Sequence, residues 1–389
     1  MFITTESLNG RRQSDPPIVL SLCMIVRDNE DIIEPCLTSI RPWVDEMIVV
    51  DTGSKDKTPE IAERLGARMF HFPWIDDFSA ARNESLKHAR GRWIYWTDSD
   101  DTIDEVNGRK LRELAYGNHQ PNIAGYAMQV HCPLSNDDGS SDHTVVDQVK
   151  MFHNHPQIYF EGRMHEQVLM PIRRLNGEVG WTDIYVVHSG SDTSREGRQR
   201  KCDRDLRILK LDLADRPDHP FVLFNFGMTY TDMEEYEEAL KWLHRCLEVS
   251  EPHESHVRKT YAFVALCLYQ LERFEESVGW CDRGLNLFPK DIELHFRHGM
   301  VLHQLGRLEE SVGAYQAALR KDDETHFSSV HDGIGSFKAR HNLALVYGEL
   351  GRPGLQELQW RLALEARPSF QPAMVGLGQL LSSEPAPPC

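Results

Sequence analysis

Trp93-Ile94-Tyr95-Trp96 runs straight into Thr97-Asp98-Ser99-Asp100-Asp101. Two earlier apolar stretches end the same way: Ile18–Val26 before Arg27-Asp28-Asn29-Glu30, and Met47–Val50 before Asp51-Thr52-Gly53-Ser54. Short apolar runs with polar ends read as buried parallel strands. In open α/β sheets ligands bind beyond the carboxyl ends of such strands. Acidic strand ends far apart in sequence are therefore expected to meet at one rim, where a nucleotide and a metal would fit. Between them, Asp31–Arg41, Thr58–Leu65 and Phe78–Ala89 read as crossover helices. The last has Asp76-Asp77 near its start, where acids favour the positive helix end. This β–α–β order argues a mostly parallel sheet. From Gln120 to His188 the pattern turns strand-rich and irregular, with a mobile polar loop expected over Pro133–Asp142.

The 389 residues leave room for two or three domains. An apolar share of 40% and a charged share of 26% are those of an ordinary globular protein. The net charge of −17 argues against sequence-independent nucleic-acid binding, which needs clustered Lys and Arg. Anionic substrates stay open, because a metal ion can neutralise them locally. The 8 cysteines form no CxxC pair, which speaks against zinc ribbons and thioredoxin-like motifs. Residues 1–17, read as a disordered N-terminus, lack an apolar signal core, and no run of 18 apolar residues occurs. The expectation is a reduced, cytoplasmic protein with no membrane segment.

After Gly190 the grammar changes. Ser194–Leu213 reads as a charged connecting helix, and then a repeat begins. Small residues Gly227, Ala265, Gly299, Ala344 and Gly378 recur at spacings of 38, 34, 45 and 34. Three positions later come Tyr230, Leu268, Leu302, Tyr347 and Leu381, and twelve later Ala239, Ser277, Ser311 and Gln356. This pattern resembles the 34-residue tetratricopeptide repeat, a helix–turn–helix unit. It gives four units and a closing helix, with an insertion over Asp322–Phe337 lengthening the third spacing.

Asp98 and Asp100 are two apart at a strand end, where the two-residue period puts both side chains on one side. Paired carboxylates suit Mg²⁺ or Mn²⁺, which bind phosphate oxygens in turn. Asp203-Arg204-Asp205 has the same spacing but lies in the charged helix and reads as a solvated face.

Four ordered blocks make the reading specific: Leu22–Glu30, Ile48–Thr58, Asp76–Asn83 and Trp96–Asp101. Residues 18–101 resemble the family-2 glycosyltransferases, whose nucleotide-binding domain has the GT-A fold. The resemblance implies an α/β GT-A (Rossmann-like) nucleotide-sugar domain over 18–193 and a connecting helix over 194–218. An all-α tetratricopeptide-repeat solenoid over 219–383 and a frayed tail over 384–389 complete the expected organisation. It also implies transfer of a sugar, usually with inversion, from a nucleotide sugar, UDP-glucose or UDP-GlcNAc, with Mn²⁺ or Mg²⁺. By resemblance, Val26, Arg27 and Glu30 line the nucleoside pocket, Asp51 contacts the base, and Arg82 the base or diphosphate. Asp98 and Asp100 hold the ribose and metal, Ser99 joins the nucleotide-sugar contacts, and His188 completes the metal shell unless it only makes hydrogen bonds. Arg27-Asp28 departs from the commoner pattern, which has a Lys or aromatic there. Asp51 also fits plain turn chemistry, Arg82 a surface helix charge, and Arg195, Arg198, Arg200 and Lys201 an exposed basic helix end rather than a diphosphate screen.

Arg163–Gln167 resembles a His-Glu segment of family members that carry repeats; Leu169 rules out the H-E-x-x-H of zinc proteases. The base that takes the acceptor proton is expected to be Glu166, with His165 second and Asp137, Asp138 and Asp142 as rivals. A purely structural His165-Glu166 stays open. The fused repeats resemble those of enzymes that glycosylate a peptide on Cys, Ser or Thr, so a peptide or protein acceptor is expected at their groove. Docking of a partner enzyme, or a homodimer, is the other use. Transfer to a surface glycan or lipid-linked acceptor, and a non-catalytic adaptor, are the competing functions. A nucleotidyltransferase would need a Gly-rich phosphate loop after the first strand, and there is none.

Overall fold

The computed structural model describes residues 17–133, 143–190, 194–320, 326–327 and 329–383. Residues 1–16, the loop carrying Asp137, Asp138 and Asp142, and the 384–389 tail lie outside these. The chain divides into two compact units, neither of them one continuous stretch. The first holds the described residues up to Met128, with Val149–Glu161 and Glu166–Val186. The second holds the described parts of Gln129–Gln148, Gly162–His165 and everything described from Val187 onward.

The first unit opens with β1 (Leu20–Val26), α1 (Ile33–Ile40), β2 (Glu46–Asp51), α2 (Thr58–Arg64) and β3 (Arg68–His71). It continues through α3 (Phe78–His88), β4 (Trp93–Trp96), β5 (Asp101–Thr102) and α4 (Glu105–Tyr116). Along the chain follow β6 (Ile123–Pro133), β7 (His143–His153), α5 (Leu169–Arg174) and β8 (Glu178–His188), of which Gln129–Pro133, His143–Gln148 and Val187–His188 belong to the second unit. The strand order is β3-β2-β1-β4-β7-β6-β8-β5. β1 lies parallel to both β2 and β4, and β2 parallel to β3, while β4 meets β7 antiparallel. The three apolar stretches are thus the adjacent strands β2, β1 and β4, nearly every residue buried because helices are expected on both faces of such a sheet. Parallel pairing sends all three carboxyl ends to one edge, as the sequence required. α3 starts where Asp77 accepts a hydrogen bond from the Ala80 N–H at 2.8 Å. β3 and α4 carry no motif and were not singled out by the sequence pattern.

In the second unit α6 (Arg195–Asp215) is capped by the Ser194 hydroxyl, which accepts from the Gly197 N–H at 3.0 Å. Helix pairs follow: α7 (Pro220–Asp232) with α8 (Tyr236–Val249), then α9 (Ser255–Gln270) with α10 (Phe274–Leu287). Next are α11 (Ile292–Gln304) with α12 (Leu308–Ala318), α13 (Phe337–Glu349) with α14 (Pro353–Ala366), and a last helix α15 (Gln371–Ser383). The small residues sit in the first helix of each pair, where the second helix comes closest. A Cβ on Gly227 would meet Leu243 at 2.4 Å, and one on Gly299 would meet the Tyr315 ring at 2.7 Å. Twelve positions on, the hydroxyls of Ser277 and Ser311 donate to the carbonyls of Ala265 and Gly299, each at 2.8 Å. The repeat phase is therefore a hydrogen-bonded and steric register.

The insertion forms a short strand, β9 (Ser329–His331), antiparallel to Thr144–Val146 of β7. Lys259 Nζ donates to the Ser329 carbonyl and to Glu293, both at 2.6 Å. The Asp203-Arg204-Asp205 reading needs correction: Asp203 is exposed but Asp205 is buried and accepts from Arg204, so only half of that pair is a solvated face.

Candidate active site

At the carboxyl edge of β1 and β2 two loops interlock through backbone hydrogen bonds. The Asp28 N–H donates to Ser54 Oγ at 3.0 Å, and the Lys55 N–H returns a bond to Asp28 at 2.7 Å. The Asn29 N–H donates to Thr58 Oγ1, the Glu30 N–H to Asp56, and the Lys57 N–H to Glu30. Asp28 takes a left-handed conformation, φ 50°, which Asp tolerates better than most residues. The third strand end joins through Ser99, whose hydroxyl donates to Asn29 Oδ1 at 3.0 Å. Val26 is buried at the base of this assembly, and Arg27 and Glu30 stand exposed at its lip. Asp51, 7% exposed, accepts from the Gly53 and Ser54 N–H groups at 3.1 Å, which is the turn chemistry its sequence offered. His71 Nδ1 lies 3.3 Å from the same carboxylate.

Arg82 is not a surface charge. It projects from α3 and is 6% exposed. Its Nη2 donates to Asp98 at 2.6 Å and its Nε to Glu166, joining residues far apart in the chain. The guanidinium lies 4.3 Å from the Trp96 ring centroid and 5.7 Å from that of Phe160. Its Nη1 is buried with no hydrogen-bond partner among the described residues. Burial alone would lower the affinity of this guanidinium for its proton, but Asp98 and Glu166 outweigh it and hold the group charged.

Asp98 and Asp100 lie beyond β4, which ends at Trp96, so strand pleating does not align them. A turn does, closed by the Asp101 N–H donating to the Asp98 carbonyl at 3.2 Å. The carboxylates of Asp98, Asp100 and Asp101 offer ligand atoms within 4.8 Å of one another. Asp101 is fully buried and accepts from Thr97 Oγ1 at 2.5 Å, the Asp98 N–H at 3.0 Å and Lys150 Nζ at 2.9 Å. Nearby, Cys36 Sγ donates to the Asp98 carbonyl at 3.4 Å. Burial, then Asp101, Asp100 and Asp98, push its thiol pKa well up. The donors clustered at this turn are hard carboxylate oxygens, so the residues present fit a divalent Mg²⁺ or Mn²⁺ ion.

His165 falls in the second unit with φ 51°, its Nε2 buried without a partner among the described residues. Burial lowers its pKa to about 4, against a pull upward from Asp205. His188 is the half-buried last residue of β8. Arg195, Arg198, Arg200 and Lys201 are exposed. Sequence reasoning missed Lys150, although a signal was there: a lysine inside Val149-Lys150-Met151-Phe152 is a charge in a buried strand and needs a buried partner. It also gave no role to Asn29, which links two of the loops.

Comparison with known proteins agrees with this architecture. Residues 21–120 match the glycosyl transferase family 2 family, and residues 225–251 and 292–322 each match a tetratricopeptide repeat family. A TPR repeat-containing protein of Synechococcus elongatus is 28% identical over 90% of this chain and 76% of its own. The SPbeta prophage-derived glycosyltransferase SunS of Bacillus subtilis is 26% identical over 75% of this chain and 69% of its own. Among solved structures, the TPR protein YrrB is 19% identical, with 46% of this chain and 84% of that one covered, at a TM-score of 0.36. The chain carries a glycosyl transferase family 2 domain followed by tetratricopeptide repeats, and it is a glycosyltransferase.

Proposed function

We propose that this glycosyltransferase moves a sugar, with inversion, from a UDP sugar such as UDP-glucose or UDP-GlcNAc to a side chain of a peptide or protein, and that it depends on Mn²⁺ or Mg²⁺. The observation that carries the reading is the acidic turn at Asp98–Asp101 beside a buried guanidinium with one unpartnered nitrogen. On this reading Arg82 Nη1 donates to a diphosphate oxygen, whose negative charge grows as the sugar leaves. Asp98 and Asp100 hold the cation, with His188 as a further ligand. When bound, the cation supplies Lewis-acid stabilisation of the departing diphosphate. Val26, Arg27, Glu30, Asp51 and Ser99 bound the nucleoside pocket.

Glu166 takes the acceptor proton on Oε2, the oxygen that Arg82 does not engage. The bond from the acceptor oxygen or sulfur to the anomeric carbon forms as the bond from that carbon to the diphosphate oxygen breaks. His165 is the lesser candidate, since an imidazole with a pKa near 4 is a weak base at neutral pH. Donor chemistry is assigned to residues 18–193. Acceptor capture, or pairing of two copies, is assigned to 219–383, with 194–218 as connector. No helix among the described residues is long and apolar enough to cross a membrane. The described cysteines are free thiols, which suits a reducing cytoplasm.

The test is a panel of UDP sugars with Mn²⁺ or Mg²⁺, with and without a peptide pool, reading released UDP and peptide mass. UDP release that needs the ion, together with a peptide gaining one sugar, supports the proposal. Release with no modified peptide would redirect the acceptor to a glycan, and no release from any UDP sugar would refute the donor.

A further inference from the structure

Lys150 has no place in the chemistry above, yet it is a fully buried ammonium beside the proposed metal turn. Its Nζ donates to Asp101 Oδ2 at 2.9 Å and lies 4.1 Å from the Trp96 ring centroid. Its neighbour Val149 accepts from Trp96 Nε1 at 2.7 Å. Trp96 therefore touches two cations with different partners: Arg82, which holds Asp98, and Lys150, which holds Asp101. Asp101 spends its Oδ2 on Thr97, on the Asp98 N–H and on Lys150, and all three contacts lie inside the turn or on β7. A carboxylate this close to Asp98 and Asp100 would otherwise compete for a cation.

We propose that Lys150 is a positioning residue that withholds Asp101 from the metal. It neutralises the third carboxylate and turns it into the brace of the 97–101 turn, so that Asp98 and Asp100 alone of the three present oxygens to the ion. The inference rests on the metal-dependent reading. It explains why three adjacent acids, Asp98, Asp100 and Asp101, differ in exposure: Asp101 is at 0%, while the other two are half-buried. Removing the ammonium leaves a buried carboxylate without that cation, beside the place of the ion, which can then compensate it. The ion should then bind more tightly but deeper, away from the diphosphate.

The experiment uses the full chain and Lys150→Met, with Mn²⁺ binding followed by electron paramagnetic resonance without donor. Melting is measured with and without Mn²⁺, and kcat and KM for the UDP sugar are determined. Lys150→Met is expected to melt lower without metal, to recover more than the unaltered chain when Mn²⁺ is added, and to bind Mn²⁺ about tenfold more tightly. Its kcat should fall with KM for the donor little changed. Lys150→Met combined with Asp101→Asn removes both charges while keeping the acceptor oxygen for Thr97 and Asp98. It should return Mn²⁺ affinity to within about threefold of the unaltered chain. Unchanged Mn²⁺ affinity in Lys150→Met would overturn the assignment. If that variant does not fold, a more than tenfold loss of Mn²⁺ affinity in the double variant would do so, since Asp101 would then be a ligand. Failure of the unaltered chain to bind Mn²⁺, even with UDP present, would instead overturn the metal-dependent reading beneath it.

Discussion

Replacing Arg82 by Met should expose how much of the first unit rests on one guanidinium. The change leaves Glu166, whose side chain is 8% exposed, as a buried carboxylate without its cation. Breaking a buried pair from one side costs about 3–5 kcal/mol. Asp98, whose side chain is 35% exposed, is solvated enough that its share is under about 1 kcal/mol. Loss of the stack on Trp96 adds about 0.5–2 kcal/mol, partly restored by the thioether. The Glu166 term dominates. For a domain of roughly 150–250 residues, a loss of about 3–5 kcal/mol lowers Tm by roughly 6–20 °C. Differential scanning calorimetry of Arg82→Met against the unaltered chain measures this directly. Adding Glu166→Met removes the stranded charge, and an apolar replacement of both partners is often neutral, so the double variant should recover most of the loss. A single variant that melts within about 2 °C of the unaltered chain, or a double variant no better than the single one, would refute a buried Arg82–Glu166 pair.

Three further outcomes are expected. Asp100→Ala should reduce metal-supported turnover about a hundredfold or more while shifting stability by less than about 0.5 kcal/mol, read by UDP release and melting. Burial holds His153, His165 and His256 to about 4, so below pH 6.5 the unfolded chain binds protons that the folded chain refuses until about pH 4. Stability should therefore fall as pH drops through that window, by up to about 1.4 kcal/mol per pH unit for His256, which is 7% exposed. Urea titrations at pH 7 and pH 5 check it, and His256→Phe should flatten the slope. Gly299→Ala should destabilise by about 1 kcal/mol net, since overpacking against Tyr315 costs about 1–3 kcal/mol and better helix propensity returns about 1 kcal/mol; a higher Tm would contradict the close helix contact.

Periodicity carried most of the architecture because it encodes burial. The apolar stretches became β1, β2 and β4, and the small residues at the repeat spacing became the contact points of the helix pairs. What the pattern could not carry was partnership. Nothing local to Arg82 says that its partner is Glu166, 84 positions away, and nothing near Asp101 names Lys150. The two-residue spacing of Asp98 and Asp100 pointed to a shared face for a strand reason, whereas a turn braced by Asp101 provides it. The insertion in the third spacing was visible as extra length, but its pairing with β7 depends on register between segments that no spacing connects.

That pairing has a consequence for the order in which the chain can fold. Thr144 and His331 face each other from positions 187 residues apart. β4 reaches only Trp93–Tyr95 opposite Met151–His153, so the 144–146 end of β7 has no partner from that strand. At about 5–20 residues per second of synthesis, roughly 10–40 s separate the emergence of the two segments. During that interval the end of β7 is an open edge able to recruit a strand from another nascent chain. Its completion by β9 comes only after the third helix pair has been made, which places a non-local, slow-forming contact late in the maturation of this protein.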